Sequence, residues 1–354
     1  MVLDQLRLPI VLAPLAGGPS TPRLAAAVSE AGGLGFLAAG YLPATELAAR
    51  LAEVRSLTDS PIGVNLFVPG GGPTEPGAYG GFLERLGEWA ARAGVELAEP
   101  RFSDDDWQAK LDLLLAEPVP VVSFTFGCPE SSVLDAVKRT GSETWVTVTS
   151  SEEAEHVEAA GADCLVVQGA EAGGHRGSFV DRPGLPTYGL LPLIALIQES
   201  VALPMVASGG IATGSAVAAV LCAGARAAQL GTAFMLAPEA GTSDAHREAL
   251  RQPGETGLTR AFTGRLARGI KNRFMAEHDS SAPIAYPEVH YVTAPMRRDA
   301  REAGNADGIN LWAGEAHQLA LERPASEIVA QLGTDAQAAL DRAAVLLRAP
   351  RTGD

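Results

Sequence analysis

The sequence is short of cysteine, of clustered positive charge and of long apolar runs, and each shortage removes a class of protein. Its three cysteines, Cys128, Cys164 and Cys222, are unpaired by number, sit in apolar surroundings and show no C-x-x-C spacing. Cysteines so placed suit neither zinc nor a redox pair, and they fit a reduced cytosol. Lys and Arg number 27 against 42 Asp and Glu, a net charge of -15, and the cations are scattered. Nucleic-acid binding needs a surface that neutralises phosphates, so no nucleic-acid partner is expected. No window approaches the roughly 18 uninterrupted apolar residues of a membrane span. In the opening MVLDQLRLPIVLAPL, Asp4, Arg7, Pro9 and Pro14 interrupt any apolar stretch, which excludes a signal peptide. A cytoplasmic protein with no membrane partner is the expectation; the oligomeric state, a homodimer included, stays open.

The familiar reaction motifs are missing too. There is no G-x-G-x-x-G after a strand, no G-x-x-x-x-G-K-[ST], no G-x-S-x-G and no H-E-x-x-H. Dinucleotide-binding dehydrogenases, P-loop enzymes, serine hydrolases and zincins therefore lose support. With neither a metal cluster nor a nucleophile dyad in view, a bound organic cofactor is the economical source of reactivity.

What is present is an alternation. Apolar runs at 9-13, 34-38, 61-66, 119-124, 143-148, 163-168, 203-207 and 226-230 recur between Ala-rich helical stretches, each the length of a strand buried on both faces. Eight such strands argue for an α/β protein closed as a (β/α)8 TIM barrel, although an open doubly wound sheet shares the alternation. A weak repeat favours the barrel: SEAGGLGFLAAG, EAAGADCLVVQG and LCAGARAAQLGT each read as helix end, Ala-Gly turn, buried strand and Gly-bearing exit. At 354 residues the chain exceeds the ~250 that a barrel needs. The barrel is expected over 1-239, with a Gly- and Pro-rich loop and helix excursion at 69-118. A small polar cap domain follows at 240-305, and helices at 306-354 pack back on the barrel.

Barrel chemistry sits at the C-terminal ends of the strands, and three strand exits stand out. In VVQGAEAGGHRG (166-177) a Gly-rich loop presents His175 between Gly174 and Arg176. Glycines let a backbone approach a flat ligand, and an imidazole there can move a proton or bond an anion. The remaining histidines, 156, 246, 278, 290 and 317, are expected at the surface or in structural roles. MVASGGIATGSAV (205-217) and AAQLGTAFM (227-235) lead strands through small residues into helices, where backbone N-H groups can hold a phosphate. Ser123, Phe124 and Phe126 leave the fourth strand and could line a substrate pocket, and Trp312 could shield the ligand. Cys128 reads as a small filler.

In their order along nearly the whole chain these segments resemble the nitronate monooxygenase family, formerly 2-nitropropane dioxygenase. The resemblance is carried by PIVLAPLAGGPSTPRLAAAVSEAGGLGFLAAG, GVNLF at 63-67, QGAEAGGHRG, SGGI with QLGT, and LWAG at 311-314. It implies FMN as cofactor, with Asn65, Gln168, Gly173 and Gly174, Gly209 and Gly210, and the run Gln229, Leu230, Gly231, Thr232 contacting it, and Ala13, Pro14 and Leu15 along the isoalloxazine ring. His175 matches the catalytic histidine. The implied reaction is oxidation of an alkyl nitronate, such as propionate 3-nitronate, by O2, as a detoxification; a nitroalkane is the other implied substrate. Rival readings are an FMN-dependent enoyl-acyl-carrier-protein reductase, which shares the barrel, the GGH loop and the late WAG segment, an NAD(P)H:quinone reductase, and a non-catalytic flavin-binding protein. Ser20, Thr21 and Pro22 after Gly17 and Gly18, with HRG after the glycines, tilt the balance to the monooxygenase.

Overall fold

The structure, a computed structural model, describes residues 1-348, so 349-354 of the expected C-terminal segment lie outside the described residues. Each of the eight apolar runs falls on a strand: β1 (Ile10–Leu12), β2 (Gly35–Ala38), β3 (Ile62–Phe67), β4 (Val121–Thr125), β5 (Glu143–Val148), β6 (Cys164–Gln168), β8 (Met205–Ser208) and β9 (Ala227–Leu230), with the two-residue β7 (Gly174–His175) standing outside their sheet. All eight pair in parallel in the order β1-β9-β8-β6-β5-β4-β3-β2. A parallel bridge from Val11 to Leu34 joins the first strand to the second, and the sheet closes as a (β/α)8 barrel.

The alternation of side chains explains why both faces are apolar. Ile10, Leu12, Val64, Leu66, Val122, Phe124, Val146 and Val148 point outward and pack under the helices. Val11, Phe36, Val121, Trp145, Cys164, Val166, Val206 and Ala227 point inward and fill the barrel floor. Trp145 and Phe36 are its largest members, with ring centroids 5.8 Å apart. Gly63 on β3 makes room for them, since a Cβ there would lie 2.4 Å from the Phe36 ring. The first turn of the chain seals the bottom: Val2 and Leu3 join the floor cluster, and the Val2 N-H donates to the Glu143 carboxylate at 2.6 Å.

The segment 240-305 is built round an antiparallel hairpin of β10 (Thr256–Thr259) and β11 (Ala267–Ile270), followed by short helices Arg273–His278, Glu288–Val292 and Ala294–Glu302. It does not have a core to itself. Phe262, Phe274, Val289, Val292 and Met296 pack with Tyr79, Phe82 and Leu86, so the 69-118 excursion, through its helix Gly80–Ala93, supplies half of the roof. The long helix Ala325–Arg348 packs on the barrel against the helix Gly214–Cys222. That approach requires glycine at 214, where a Cβ would meet Asp335 Cβ at 2.4 Å.

Candidate active site

Above the apolar floor the barrel interior turns polar. The inward positions nearest the strand ends are Asn65 on β3, Thr125 on β4, Thr147 on β5, Gln168 on β6, Ser208 on β8 and Gln229 on β9, and all six line one cavity of about 380 Å3. This is the face at which barrels place their chemistry, and the volume suits a small-molecule site. The belt is internally bonded. Asn65 Nδ2 donates to Ser123 Oγ (2.9 Å) and Thr125 Oγ1 (3.0 Å), and Thr125 Oγ1 lies 3.2 Å from Thr147 Oγ1. Gln229 Nε2 reaches Ser208 Oγ at 3.4 Å.

Gln168 anchors the loop that carries His175. Its Oε1 accepts the Gly177 N-H at 2.8 Å and its Nε2 donates to the His175 carbonyl at 3.1 Å. Arg176, buried beside it, donates to the Gln168 carbonyl at 2.9 Å and the Thr149 carbonyl at 3.3 Å, so the arginine of HRG binds the loop to the barrel. From above, β7 pairs antiparallel with β11, His175 opposite Ala267 and Gly174 opposite Arg268. A loop anchored below by side chains and above by a ladder holds its histidine in one place.

His175 Nε2 lies 2.9 Å from Thr263 Oγ1. That hydroxyl is 3.2 Å from the Arg265 carbonyl and 3.4 Å from the Arg265 N-H, so it can donate to the carbonyl or to the imidazole. The ring is walled by Phe126, Tyr286 and Trp312, with centroids at 5.8, 5.7 and 5.5 Å. Burial, with the Arg265 and Arg297 charges adding to it, pushes the His175 pKa down to about 3. The imidazole is neutral at physiological pH.

The glycine motifs form another edge of the cavity. Gly209 and Gly210 have φ of +122° and +66°, and a Cβ on Gly210 would come 2.8 Å from Glu171 Cβ. Among the described residues the N-H groups of Gly210 and Gly231 make no hydrogen bond, which leaves donors at the cavity for an anion. Gly173 is set against the LWAG segment: a Cβ there would lie 2.5 Å from both Ala313 C and Gly314 N. Thr232 Oγ1 accepts the Gly314 N-H at 3.0 Å, joining QLGT to the same segment. The β1 exit supplies Ala13, Pro14 and Leu15, held because the Leu15 N-H donates to Ser20 Oγ at 2.8 Å while Thr21 caps the next helix.

The structure thus brings to one cavity His175 and every sequence-expected cofactor residue except Leu230, whose side chain points outward into the helix-facing core. The Leu230 carbonyl instead holds the Ala13 N-H at 2.8 Å. Of the three residues expected to leave the fourth strand into the pocket, Ser123, Phe124 and Phe126, only Phe126 lines the cavity; Ser123 supports Asn65 from below, and Phe124 faces the helices because odd and even positions on a strand face opposite ways. Phe126 adopts φ +77° and Tyr41, also in the wall, +68°. Such strained backbone in non-glycine residues tends to gather at functional sites. Trp312 lines the cavity, and Cys128 is half-buried with its thiol pushed up to about 11 by burial, so it stays protonated as a filler would.

The residues not expected here come from the cap. Thr263, His290, Arg297 and Arg301 all line the cavity, and so does His246. His290 stacks on Tyr41 with centroids 4.0 Å apart, and His246 Nε2 is 3.1 Å from the Trp312 carbonyl. Surface exposure therefore does not hold for these two, nor for His317, which also lines the cavity, nor for His278: all four are buried, the first three at the cavity. One signal for them was in the sequence. His290, Thr293, Arg297 and Arg301 recur at three- and four-residue intervals, the spacing of one helical face. Among the described residues no cluster of His, Cys, Asp or Glu could hold a metal ion, and no helix is long and apolar enough to cross a membrane.

The family described as nitronate monooxygenase matches residues 3-335. A nitronate monooxygenase of Pseudomonas aeruginosa is 42% identical over 335 residues, covering 92% of this chain and 95% of the relative. A probable nitronate monooxygenase of Staphylococcus aureus is 36% identical, covering 92% and 93%. Among solved structures, nitroalkane oxidase from Streptomyces ansochromogenes superposes with a TM-score of 0.94 at 49% identity, covering 97% of this chain and 99% of that one. FabK from Thermotoga maritima superposes at 0.76 with 26% identity, covering 98% and 97%. Through this match along almost its whole length, the chain belongs to the nitronate monooxygenase family.

Proposed function

We propose that the cavity binds FMN and that the protein is an oxidoreductase that oxidises alkyl nitronates with O2. The fit of the cofactor rests on this chain's own features. The free N-H groups of Gly210 and Gly231 suit its phosphate, and the glycine edge leaves space where side chains would intrude. The amides of Asn65 and Gln229 suit the polar edge of its ring, with Ala13, Pro14 and Leu15 alongside. The chemistry supplied by bound FMN is acceptance of the substrate's electrons and their delivery to O2.

The observation that carries the substrate reading is the neutral His175 beside Thr263. When the threonine hydroxyl donates to Nε2, the imidazole proton sits on Nδ1, which is free to donate to an anionic oxygen. When the hydroxyl turns to the Arg265 carbonyl, Nε2 holds the proton and Nδ1 becomes an acceptor. Donation serves a nitronate, which arrives without its α-proton; acceptance serves a neutral nitroalkane, whose proton must be taken. With the pKa held at about 3, proton uptake is the harder task, so the site favours the nitronate. The far higher identity to nitroalkane oxidase than to FabK also favours this over the reductase reading. Nitronate detoxification is the role this implies, in the reduced compartment that three unpaired cysteines suit.

The test is anaerobic mixing of the purified yellow protein with propionate 3-nitronate while the flavin spectrum is followed, repeated with NADH. Rapid bleaching by the nitronate with NADH inert is the expected result. Bleaching by NADH alone would replace the oxidation by a reductase, and a colourless protein that takes up no FMN would remove the cofactor.

A further inference from the structure

Two guanidiniums in the cavity wall have no counter-ion among the described residues. Arg297 and Arg301 stand one turn apart on the helix Ala294–Glu302, and both line the cavity. Arg297 is 5% exposed. Its Nε donates to Thr293 Oγ1 at 3.1 Å and its Nη2 to the His290 carbonyl at 2.6 Å, and Nη1 is left without a partner among the described residues. Arg301 reaches only Asn310 Oδ1, at 3.4 Å. Other cap arginines are satisfied: Arg260 pairs with Asp181 at 2.6 Å, and Arg268 with Glu315 at 3.0 Å. Among the described residues no carboxylate charge acts on Arg297, whose charged or ionisable neighbours are Arg301, Tyr41, Tyr286, His290 and His175.

Two like charges left together in a buried wall destabilise the fold unless something neutralises them. The chain has 42 acidic residues, yet among the described ones none pairs with either arginine. The natural counter-ion is a ligand group, and the planar guanidinium fork is matched to a carboxylate.

We propose that Arg297 and Arg301 form the subsite for a carboxylate carried by the substrate beyond its nitronate carbon, and so select ω-carboxylated nitronates over uncharged ones. The proposal rests on the nitronate reading. The geometry supports it: Arg297 Nη2 bonds the His290 carbonyl at 2.6 Å, the His290 ring lies 6.3 Å from that of Tyr286, and Tyr286 lies 5.7 Å from His175, so arginine and histidine share one wall of the cavity. A short substrate held at His175 would meet the arginines in the same cavity. The free N-H groups of Gly210 and Gly231 would serve a cofactor phosphate without the arginines.

The experiment compares R297Q, R301Q and R297K with the unchanged holoenzyme, using propionate 3-nitronate and butyl-1-nitronate, which differ in the tail charge. Each glutamine variant should raise KM for propionate 3-nitronate about 10- to 100-fold, the worth of a charge-assisted bond. The butyl-1-nitronate kcat/KM should stay within about twofold, and R297K should recover part of the loss. Equal losses on both nitronates would overturn the subsite, as would loss of flavin from the variants, which would assign the arginines to the cofactor. Succinate, an unreactive isostere with a carboxylate in place of the nitro group, separates this from the reaction itself. Its binding, read from the flavin spectrum, should weaken at least tenfold in R301Q even if no nitronate is turned over; unchanged succinate binding in both glutamine variants would sink the subsite whatever the reaction.

Discussion

The His175 imidazole and the Thr263 hydroxyl, 88 residues apart in sequence, meet at 2.9 Å. They meet because β7 pairs with β11, which follows Thr263 by a few residues. The barrel supplies the histidine and the cap supplies the group that sets its tautomer. A site split in this way is sensitive to the cap as well as to the barrel.

Removing that hydroxyl should therefore cost rate and not cofactor. For Thr263→Ala, nitronate kcat/KM should drop about 10- to 100-fold, corresponding to one buried hydrogen bond of roughly 1–3 kcal/mol. Flavin content should be unchanged, and Thr263→Ser should retain most of the activity. Stopped-flow reduction by propionate 3-nitronate, read beside the flavin-to-protein absorbance ratio, makes the comparison; a serine variant as slow as the alanine variant would show that the hydroxyl is irrelevant.

The glycine edge makes the opposite prediction. Gly210 combines φ +66° with a Cβ position 2.8 Å from Glu171 Cβ. Alanine there is strained in backbone and crowded in space, and either the loop moves or its free N-H turns away. Gly210→Ala should weaken FMN binding at least tenfold, about 1.4 kcal/mol, measured by fluorescence titration of the apoprotein. Turnover at saturating FMN should fall much less. Unaltered FMN affinity would show that this edge does not hold the phosphate.

How much of this was legible follows from which residues act alone and which act through partners. Strands buried on both faces announce themselves as continuous apolar runs, so all eight barrel strands were readable, and the His175 loop was found by its glycines. β7 was not readable, because two residues in a Gly-rich loop carry no strand pattern and the partner β11 lies some 90 residues on. The cap's composition marks it as polar but does not tell which of its polar groups turn inward: His290, Thr293 and Arg297 do, facing the cavity or bonding one another. Leu230 shows the limit of matching motifs position by position: QLGT lines a site, yet strand alternation turns the Leu230 side chain away from it.

His246 allows a prediction about acid stability. It is buried, its Nε2 faces the Trp312 carbonyl at 3.1 Å, and burial pushes its pKa down to about 4 from an ordinary 6.5. Below pH 6.5 the unfolded chain binds a proton that the folded chain refuses until about pH 4, so stability present above 6.5 is lost as pH falls through that window. The full difference amounts to about 3 kcal/mol, and His175, depressed to about 3, acts in the same direction. A glutamine side chain in place of the imidazole would keep a donor for the Trp312 carbonyl and bind no proton. The fall in Tm between pH 7.5 and pH 4.5, measured with excess FMN, should therefore be smaller in His246→Gln than in the unchanged protein by roughly 3 °C. Parallel curves would mean that the histidine takes up its proton as readily folded as unfolded, and that the cap tolerates charge at a position the structure places in its interior.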